Sequence, residues 1–462
     1  MGRLFGTDGV RGVANVELTA ERAMKIGQAA ASLLAKNKEG RATILIGRDT
    51  RLSCDMLEGA LVAGICSVGV DAVCLGVIPT PAVAHLVRQY NASAGIMISA
   101  SHNSFEFNGI KIFSEDGYKL PDEVEDQIEQ IVLGDVPVDI ADVAHKDLGV
   151  KTVAEAAVDD YIEHIAGTIS GDLSGLRVAF DCSNGSACRT AEKLFSRLGA
   201  ECVLINNAPN GTNINEKCGS VHVERLAAYV REHNFDAGIA FDGDADRCLA
   251  VDELGNIIDG DFIMAICARA LRERGRLAKD TVVGTVMTNI GFNRFCAEQD
   301  LNFVATKVGD RYVLEELLKN GYNFGGEQSG HVIFLDHSTT GDGQLTAVQL
   351  LSILKNSGKK LSELAGLMKK YPQVMVNVKV NNLGKLKFYA DETIQAAIKD
   401  VNKEFAPASA DGEPTGRILV RVSGTEPLIR VMLEGEDLER ITKLANEVAD
   451  VIRAQLPEEG LI

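Results

Sequence analysis

One rhythm constrains the fold of this chain more than any other feature. A short β-branched strand, a turn, an apolar-periodic helix and a second strand follow one another three times. The first copy is Ala42–Ile46, a helix near Met56–Val68, then Asp71–Leu75; the second is Arg177–Asp181, a helix near Ala187–Leu198, then Cys202–Ile205. The third is Thr281–Val286, a helix near Gly291–Gln299, then Asn302–Thr306. Each copy has the size of a βαβ unit, which predicts parallel strands and right-handed crossovers. After Tyr371-Pro372 the pattern changes to a strand (Val374–Val380), a helix (Lys385–Glu404), a strand (Arg417–Val422) and a last helix (Leu438–Leu456). With 462 residues the chain is too long for one core. The expected fold class is α/β: three related mixed α/β domains plus a C-terminal α+β domain around a central cleft, spanning 1–150, 151–254, 255–370 and 371–462.

The net charge of −18 argues against nucleic acid or an anionic membrane as main partner. Any phosphate site must then be a local cluster of Arg, Lys and backbone amides. None of the ten cysteines forms a CxxC pair, and Cys66, Cys74 and Cys267 sit in apolar runs, so a reducing, cytoplasmic compartment is expected. The N-terminus has no apolar leader, and the longest apolar stretch, 59–85, is broken by Asp71 and two prolines, so no membrane span is expected.

Four segments carry chemistry. In Ile98-Ser99-Ala100-Ser101-His102-Asn103, small residues let backbone approach a bulky anion while Ser101 offers a nucleophilic oxygen, with Lys111 following as a positive charge. A polar turn would read the same way. In Asp242-Gly243-Asp244-Ala245-Asp246-Arg247, alternate carboxylates between two apolar strands can converge on a hard cation, and repel one another without one. A Mg2+ site for phosphoryl transfer fits the third Asp and Arg247. An EF-hand loop would need Gly in place of Arg247 and flanking helices, an aspartyl phosphatase needs Thr or Val in place of Asp246, and a glycosyltransferase leaves the serine loop unexplained.

The third segment, Arg421-Val422-Ser423-Gly424-Thr425-Glu426 with Arg430 beyond, ends a strand in hydroxyls and a glycine turn bracketed by arginines, an anion nest by composition. The fourth, Gly325-Gly326-Glu327-Gln328-Ser329-Gly330-His331, offers donors and acceptors for sugar hydroxyls. Upstream, Lys307–Arg311 is another charged turn. Neither G-x-G-x-x-G nor a P-loop occurs, so phosphate is expected to move between positions of the enzyme's own substrate.

In this order the four motifs resemble the α-D-phosphohexomutase superfamily over the whole chain, beginning at Phe5-Gly6-Thr7-Asp8-Gly9-Val10-Arg11-Gly12. That opening and the Glu-Gln-Ser of the fourth motif favour its glucosamine branch over the phosphomannomutase/phosphoglucomutase branch. The resemblance implies a mutase converting glucosamine 6-phosphate to glucosamine 1-phosphate for UDP-N-acetylglucosamine and cell-wall precursors. It would work through a phosphoserine and a sugar 1,6-bisphosphate, the latter also its priming activator. It implies Ser101 as phosphoryl carrier, one Mg2+ on Asp242, Asp244, Asp246 and the phosphoserine, and Arg11, His102, Lys111 and Arg247 at the transfer site. Glu327, Ser329 and His331 would recognise the sugar, and Arg421, Ser423, Gly424, Thr425 and Arg430 the non-reacting phosphate. The partner is a small sugar phosphate, and a homodimer is the assembly to test. Lys111 and His331 are the candidate general bases. Two positions depart from the family: Ser104 where it usually has Pro, and Phe107 where it usually has Asp. These put the stiffness of the serine loop in question, and Ser101 reads as a surface-loop hydroxyl. A metal-dependent phosphatase and a non-catalytic sugar-phosphate sensor are the competing classes.

Overall fold

The computed structural model describes residues 4–6, 8–35, 41–138, 143–406, 414–423 and 426–456. The chain forms two compact units, 1–288 with 299–367, and 289–298 with 368–462.

The first unit contains three mixed sheets built on one plan. In each, a central strand (Thr43–Arg48, Arg177–Asp181 or Thr281–Thr285) pairs parallel with the strand after its crossover helix (Asp71–Val77, Glu201–Ile205 or Asn302–Thr306). A third parallel strand lies on its other side (Ala94–Ile98, Ala237–Phe241 or Phe324–Gly326). Antiparallel to that runs a fourth (Phe107–Ser114, Cys248–Asp252 or Val332–Phe334). The shared order confirms the expected relation between the α/β domains. A local signature repeats as well. The side chain that follows or ends each central strand accepts the N–H two residues on: Asp49 from Arg51 (3.0 Å), Asp181 from Ser183 (2.9 Å) and Thr285 from Met287 (3.2 Å). The turn between third and fourth strands holds, in order, the Ser101, Asp242–Asp246 and Glu327–His331 segments. Three motifs far apart in sequence thus occupy equivalent positions.

The first sheet continues through Gly9–Val13 and Phe5–Gly6, both antiparallel, and at its other edge through Lys151–Val153, parallel to Asp71–Val77. A boundary at 150 is therefore too early: the register Ala72↔Lys151 to Cys74↔Val153 ties this strand to the first sheet. The expected helix Ala187–Leu198 is broken at Thr190 into a 3-10 turn (Ser186–Arg189) and a helix (Ala191–Arg197), and Gly243 O takes the otherwise unpartnered first N–H of the turn, that of Ser186, at 2.8 Å.

The second unit has a three-stranded antiparallel sheet in the order Gln373–Lys379, Leu428–Gly435, Gly416–Val422, with Leu428–Gly435 absent from the sequence expectation. Helices Glu392–Glu404 and Leu438–Gln455 share with it a core of Val378, Ile394, Ile429, Val431, Leu444 and Val448. The expected helix Lys385–Glu404 breaks at Asp391, whose extended backbone and carboxylate, accepting Ile394 N–H at 2.9 Å, start a new helix. Helix Ile290–Glu298, read as part of the third βαβ copy, groups with this unit. Among the described residues no helix is long and apolar enough to cross a membrane, and all ten cysteines are free.

Candidate active site

Strand Ala94–Ile98 is buried throughout, so the residues after it emerge in the interior. Ser101 is 1% exposed, which corrects its reading as a surface hydroxyl. Its φ of +52° lies in the left-handed region, a strain of roughly 1–3 kcal/mol for a non-glycine residue. Buried Arg51 holds it there: its guanidinium donates to the carbonyls of Ser101 (3.0 Å), Asn103 (2.9 Å), Phe107 (2.9 Å) and Ser104, and its Nε to Asp49 (2.8 Å). Asn215 adds 2.9 Å bonds to the Ser101 and Asn103 carbonyls. The carbonyls of both departing residues, Ser104 and Phe107, are among those clamped, so the loop is stiff without proline.

The Asp242–Arg247 loop joins two antiparallel strands, which removes the EF-hand reading. A Cβ on Gly243 would lie 2.5 Å from Ser101 O, so only glycine lets this loop meet the serine loop. There the Ser101 hydroxyl donates to Asp242 Oδ2 at 2.7 Å, while Arg247 N–H donates to Oδ1 at 3.2 Å. One carboxylate oxygen each of Asp242, Asp244 and Asp246 fall within 4.8 Å of one another. Asp244 Oδ1 and Asp246 Oδ1 are buried without a hydrogen-bond partner. Burial, then Asp246 and Asp244, push the Asp242 carboxyl well above its ordinary range. Unsatisfied buried carboxylate oxygens, with no His or Cys ligand, fit a hard divalent cation.

Around this pair closes a ring of alternating charge. Lys111 Nζ lies 2.8 Å from Asp244 Oδ2, 3.1 Å from Asp8 Oδ2 and 3.5 Å from Asp246 Oδ2. Asp8 continues to Lys119 and Lys119 to Asp310, each at 2.5 Å. Asp310 faces His331 Nε2 at 3.5 Å, whose Nδ1 is 3.7 Å from Asp246. Burial opposes the Lys111 charge, but Asp244, Asp8 and Asp246 outweigh it and keep the ammonium protonated. Burial opposes a charge on His331, while Asp246 and Asp310 outweigh it and raise its pKa; in the neutral ring, the Gly341 N–H donated to Nε2 at 3.0 Å sets the proton on Nδ1. Burial, then Arg247 and Arg11, lower His102 to about 4, leaving a neutral ring with Nδ1 3.3 Å from Ser101 Oγ. Arg11 pairs with Asp8 and Arg247 Nε lies 3.9 Å from Asp246 Oδ1, and both Arg11 and Arg247 keep a buried Nε–H without a hydrogen-bond partner.

Glu327 is held by the Gly309 N–H at 3.0 Å, and burial raises its carboxyl. Gln328 turns to Asp261 at 3.2 Å, and Ser329 is half-buried in the turn. In the second unit, Arg421 and Arg430 stand directly opposite in the antiparallel register. Like charges so placed repel unless an anion joins them; burial, then Arg430, lower the Arg421 pKa. Arg430 Nε is another buried, unpaired donor, and buried Ser423 accepts the Glu426 N–H at 3.2 Å. Gly424 and Thr425 lie outside the described residues.

Sequence reasoning therefore placed Ser101, His102, Lys111, Arg11, Arg247, the three aspartates and His331 in what proves to be one neighbourhood. It assigned no role to Asp8, Asp49, Arg51, Lys119, Asn215 or Asp310. Asp8 and Asp310 stood inside quoted motifs, and the Asp-Thr-Arg ending the first strand was a visible charge pair. Lys119 and Asn215 carry no local signal.

Family models described as phosphoglucomutase/phosphomannomutase domains match the chain in order: alpha/beta/alpha domain I over residues 2–136, domain II over 159–255, domain III over 259–371 and the C-terminal domain over 375–451. A phosphoglucosamine mutase of Ruminiclostridium cellulolyticum is 55% identical over 99% of this chain and 100% of its own, and that of Clostridium tetani 54% over 98% and 99%. Among solved structures, a phosphoglucomutase/phosphomannomutase family protein of Burkholderia thailandensis is 26% identical, with a TM-score of 0.81 over 99% of both chains. An Aspergillus fumigatus N-acetylphosphoglucosamine mutase, in complex with GlcNAc-6P and magnesium, shares the fold at 16% identity, TM-score 0.67, over 98% of this chain and 95% of its own. With all four domains matched and identity above half along its whole length, the chain belongs to the phosphoglucosamine mutases of the α-D-phosphohexomutase superfamily.

Proposed function

We propose that this mutase interconverts glucosamine 6-phosphate and glucosamine 1-phosphate, with Ser101 as phosphoryl carrier and a sugar 1,6-bisphosphate as intermediate and priming activator. The observation that carries the reading is Ser101 Oγ, 2.7 Å from Asp242, beside the unpaired oxygens of Asp244 and Asp246. Asp242, Asp244 and Asp246, joined by the phosphoserine, would hold one Mg2+, which when bound offsets negative charge on the group in transfer.

The remaining work falls to the chain's own residues. Arg51 and Asn215 hold the backbone carbonyl of Ser101, and so the loop that presents the carrier oxygen, so little reorganisation is needed when phosphoryl arrives or leaves. Lys111, already protonated, serves as a cation toward the phosphoryl oxygens and not as a base. The free Nε–H groups of Arg11 and Arg247 are donors for the same oxygens. Neutral His102 is a hydrogen-bond partner of the carrier oxygen. Glu327, Ser329 and His331 would grip the ring, Glu327 supplying an acceptor for a protonated 2-amino group. Arg421, Ser423 and Arg430, with Gly424 and Thr425, would hold the non-reacting phosphate. A homodimer and a cytoplasmic location belong to the same reading, the latter supported by ten free cysteines.

The test has two arms. Incubation with a 32P-labelled sugar 1,6-bisphosphate should label Ser101, and Ser101→Ala should abolish both label and turnover; label on another residue with an active Ser101→Ala enzyme overturns the carrier assignment. After priming, kcat/KM for glucosamine phosphate should exceed that for glucose, mannose and N-acetylglucosamine phosphates by about tenfold or more, or about 1.4 kcal/mol. A better rate with glucose or mannose phosphate overturns the substrate and leaves the mutase chemistry standing.

A further inference from the structure

The two oxygens of Asp244 have separate surroundings. Oδ2 accepts the Thr80 hydroxyl at 2.5 Å and the Lys111 ammonium at 2.8 Å, while Oδ1 is buried without a partner. Thr80 is 1% exposed and opens the helix Thr80–Gln89, between Pro79 and Pro81, which pre-set the backbone there. Its backbone N–H also donates to the Asp244 carbonyl at 3.0 Å. One residue of the first sheet's domain thus grips both main chain and carboxylate of a loop in the second.

We propose that Thr80 is a positioning residue for the metal site: by occupying Oδ2 it commits Oδ1 of Asp244 to the cation. This rests on reading Asp242, Asp244 and Asp246 as Mg2+ ligands. Mg2+ demands near-octahedral geometry, and a carboxylate free to rotate presents either oxygen, or both. A hydrogen bond to the non-ligating oxygen removes that freedom, and outer partners of this kind are typically worth 10–100-fold in metal affinity. Lys111 cannot replace Thr80, because its ammonium is shared with Asp8 and Asp246 and is needed by the transferring phosphoryl group. Thr80 is the donor that stays with Asp244 through the cycle.

The competing explanation is that Thr80 only stitches two domains together. Thr50 provides the control, since its hydroxyl donates to Asn184 O at 2.6 Å across the same pair of domains without touching a carboxylate ligand. Mn2+ binding to the dephosphorylated full-length protein is measured by titration with detection of free Mn2+ by electron paramagnetic resonance, which needs no turnover. Thr80→Val should weaken Mn2+ binding about 10–100-fold, while Thr80→Ser, which keeps the hydroxyl, and Thr50→Val stay within about threefold of the parent. Thr80→Ala replaces Thr80→Val if the valine variant does not fold, with the same expectation. Parental affinity in the hydroxyl-free variant, or an equal loss in Thr50→Val or Thr80→Ser, overturns the proposal. Asp244→Asn separates the two readings: if it binds Mn2+ like the parent, the metal assignment itself is wrong, whereas loss there with none in Thr80→Val refutes Thr80 alone.

Discussion

Arg51→Lys keeps the charge and removes the fork, and it should cripple the enzyme. All five guanidinium N–H groups are in use, one on Asp49 and four on the carbonyls of Ser101, Asn103, Ser104 and Phe107. An ammonium has three donors on one nitrogen, so at least two acceptors lose their partner. At about 1.5–3 kcal/mol for each hydrogen bond to a charged group, the gross loss is about 3–6 kcal/mol. Asn215 still holds the carbonyls of Ser101 and Asn103, so the lower figure, about 3 kcal/mol, is the expected net. That loss falls on a loop already strained at Ser101, and it lowers the ratio of ordered to disordered loop by about a hundredfold. The assay pairs kcat with amide hydrogen exchange over residues 99–109. Expected are a kcat drop of more than about threefold and up to about a hundredfold, and faster exchange confined to that loop. A lysine variant with kcat within about threefold of the parent and unchanged exchange would refute the clamp argument.

Lys119→Met should raise KM about tenfold with a smaller change in kcat, because Lys119 steadies Asp310 beside the Gly309 N–H that holds Glu327; a double-mutant cycle with Asp310→Asn should show strong coupling. Arg421→Ala relieves the cross-strand repulsion with Arg430, so it should leave thermal stability unchanged or slightly raised, by about 0.2–1 kcal/mol, while KM rises strongly. A large loss of stability would show that the arginine pair is structural. His85 and His164 stack at 3.7 Å; burial, then His164, lower His85 to about 4, with Gln89, Arg88 and Asp160 as its other neighbours. Above about pH 6.5 neither folded nor unfolded His85 binds a proton, and between there and about 4 only the unfolded chain does, so stability is lost as pH falls through that window. His85→Gln should flatten this part of the Tm–pH curve, and identical curves for parent and variant would refute the assignment.

How much was legible depended on the range of each interaction. The βαβ rhythm and the strand-ending motifs are local, because side-chain periodicity and turn chemistry act over a few residues. They predicted the strands after which Ser101 and the three aspartates lie in the structure. The early boundary was a matter decided by a distant partner: the register with Asp71–Val77 carries Lys151–Val153 into the first sheet, past the expected limit.

The sequence by itself determined the α/β architecture, the hard-oxygen character of the aspartate cluster and the family, since each is written in residue types at fixed spacing. Tertiary structure alone decided that Ser101 is buried, strained and clamped by Arg51, and that Asp8, Lys119 and Asp310 close a charge ring with Lys111, His331 and Asp246. It also gave Asp244 one oxygen for Thr80 and another without a partner. The physical reason is that charge pairing and burial depend on distances between residues 50 to 191 positions apart, such as the Arg51–Ser101 and Lys119–Asp310 contacts, which no spacing along a chain encodes.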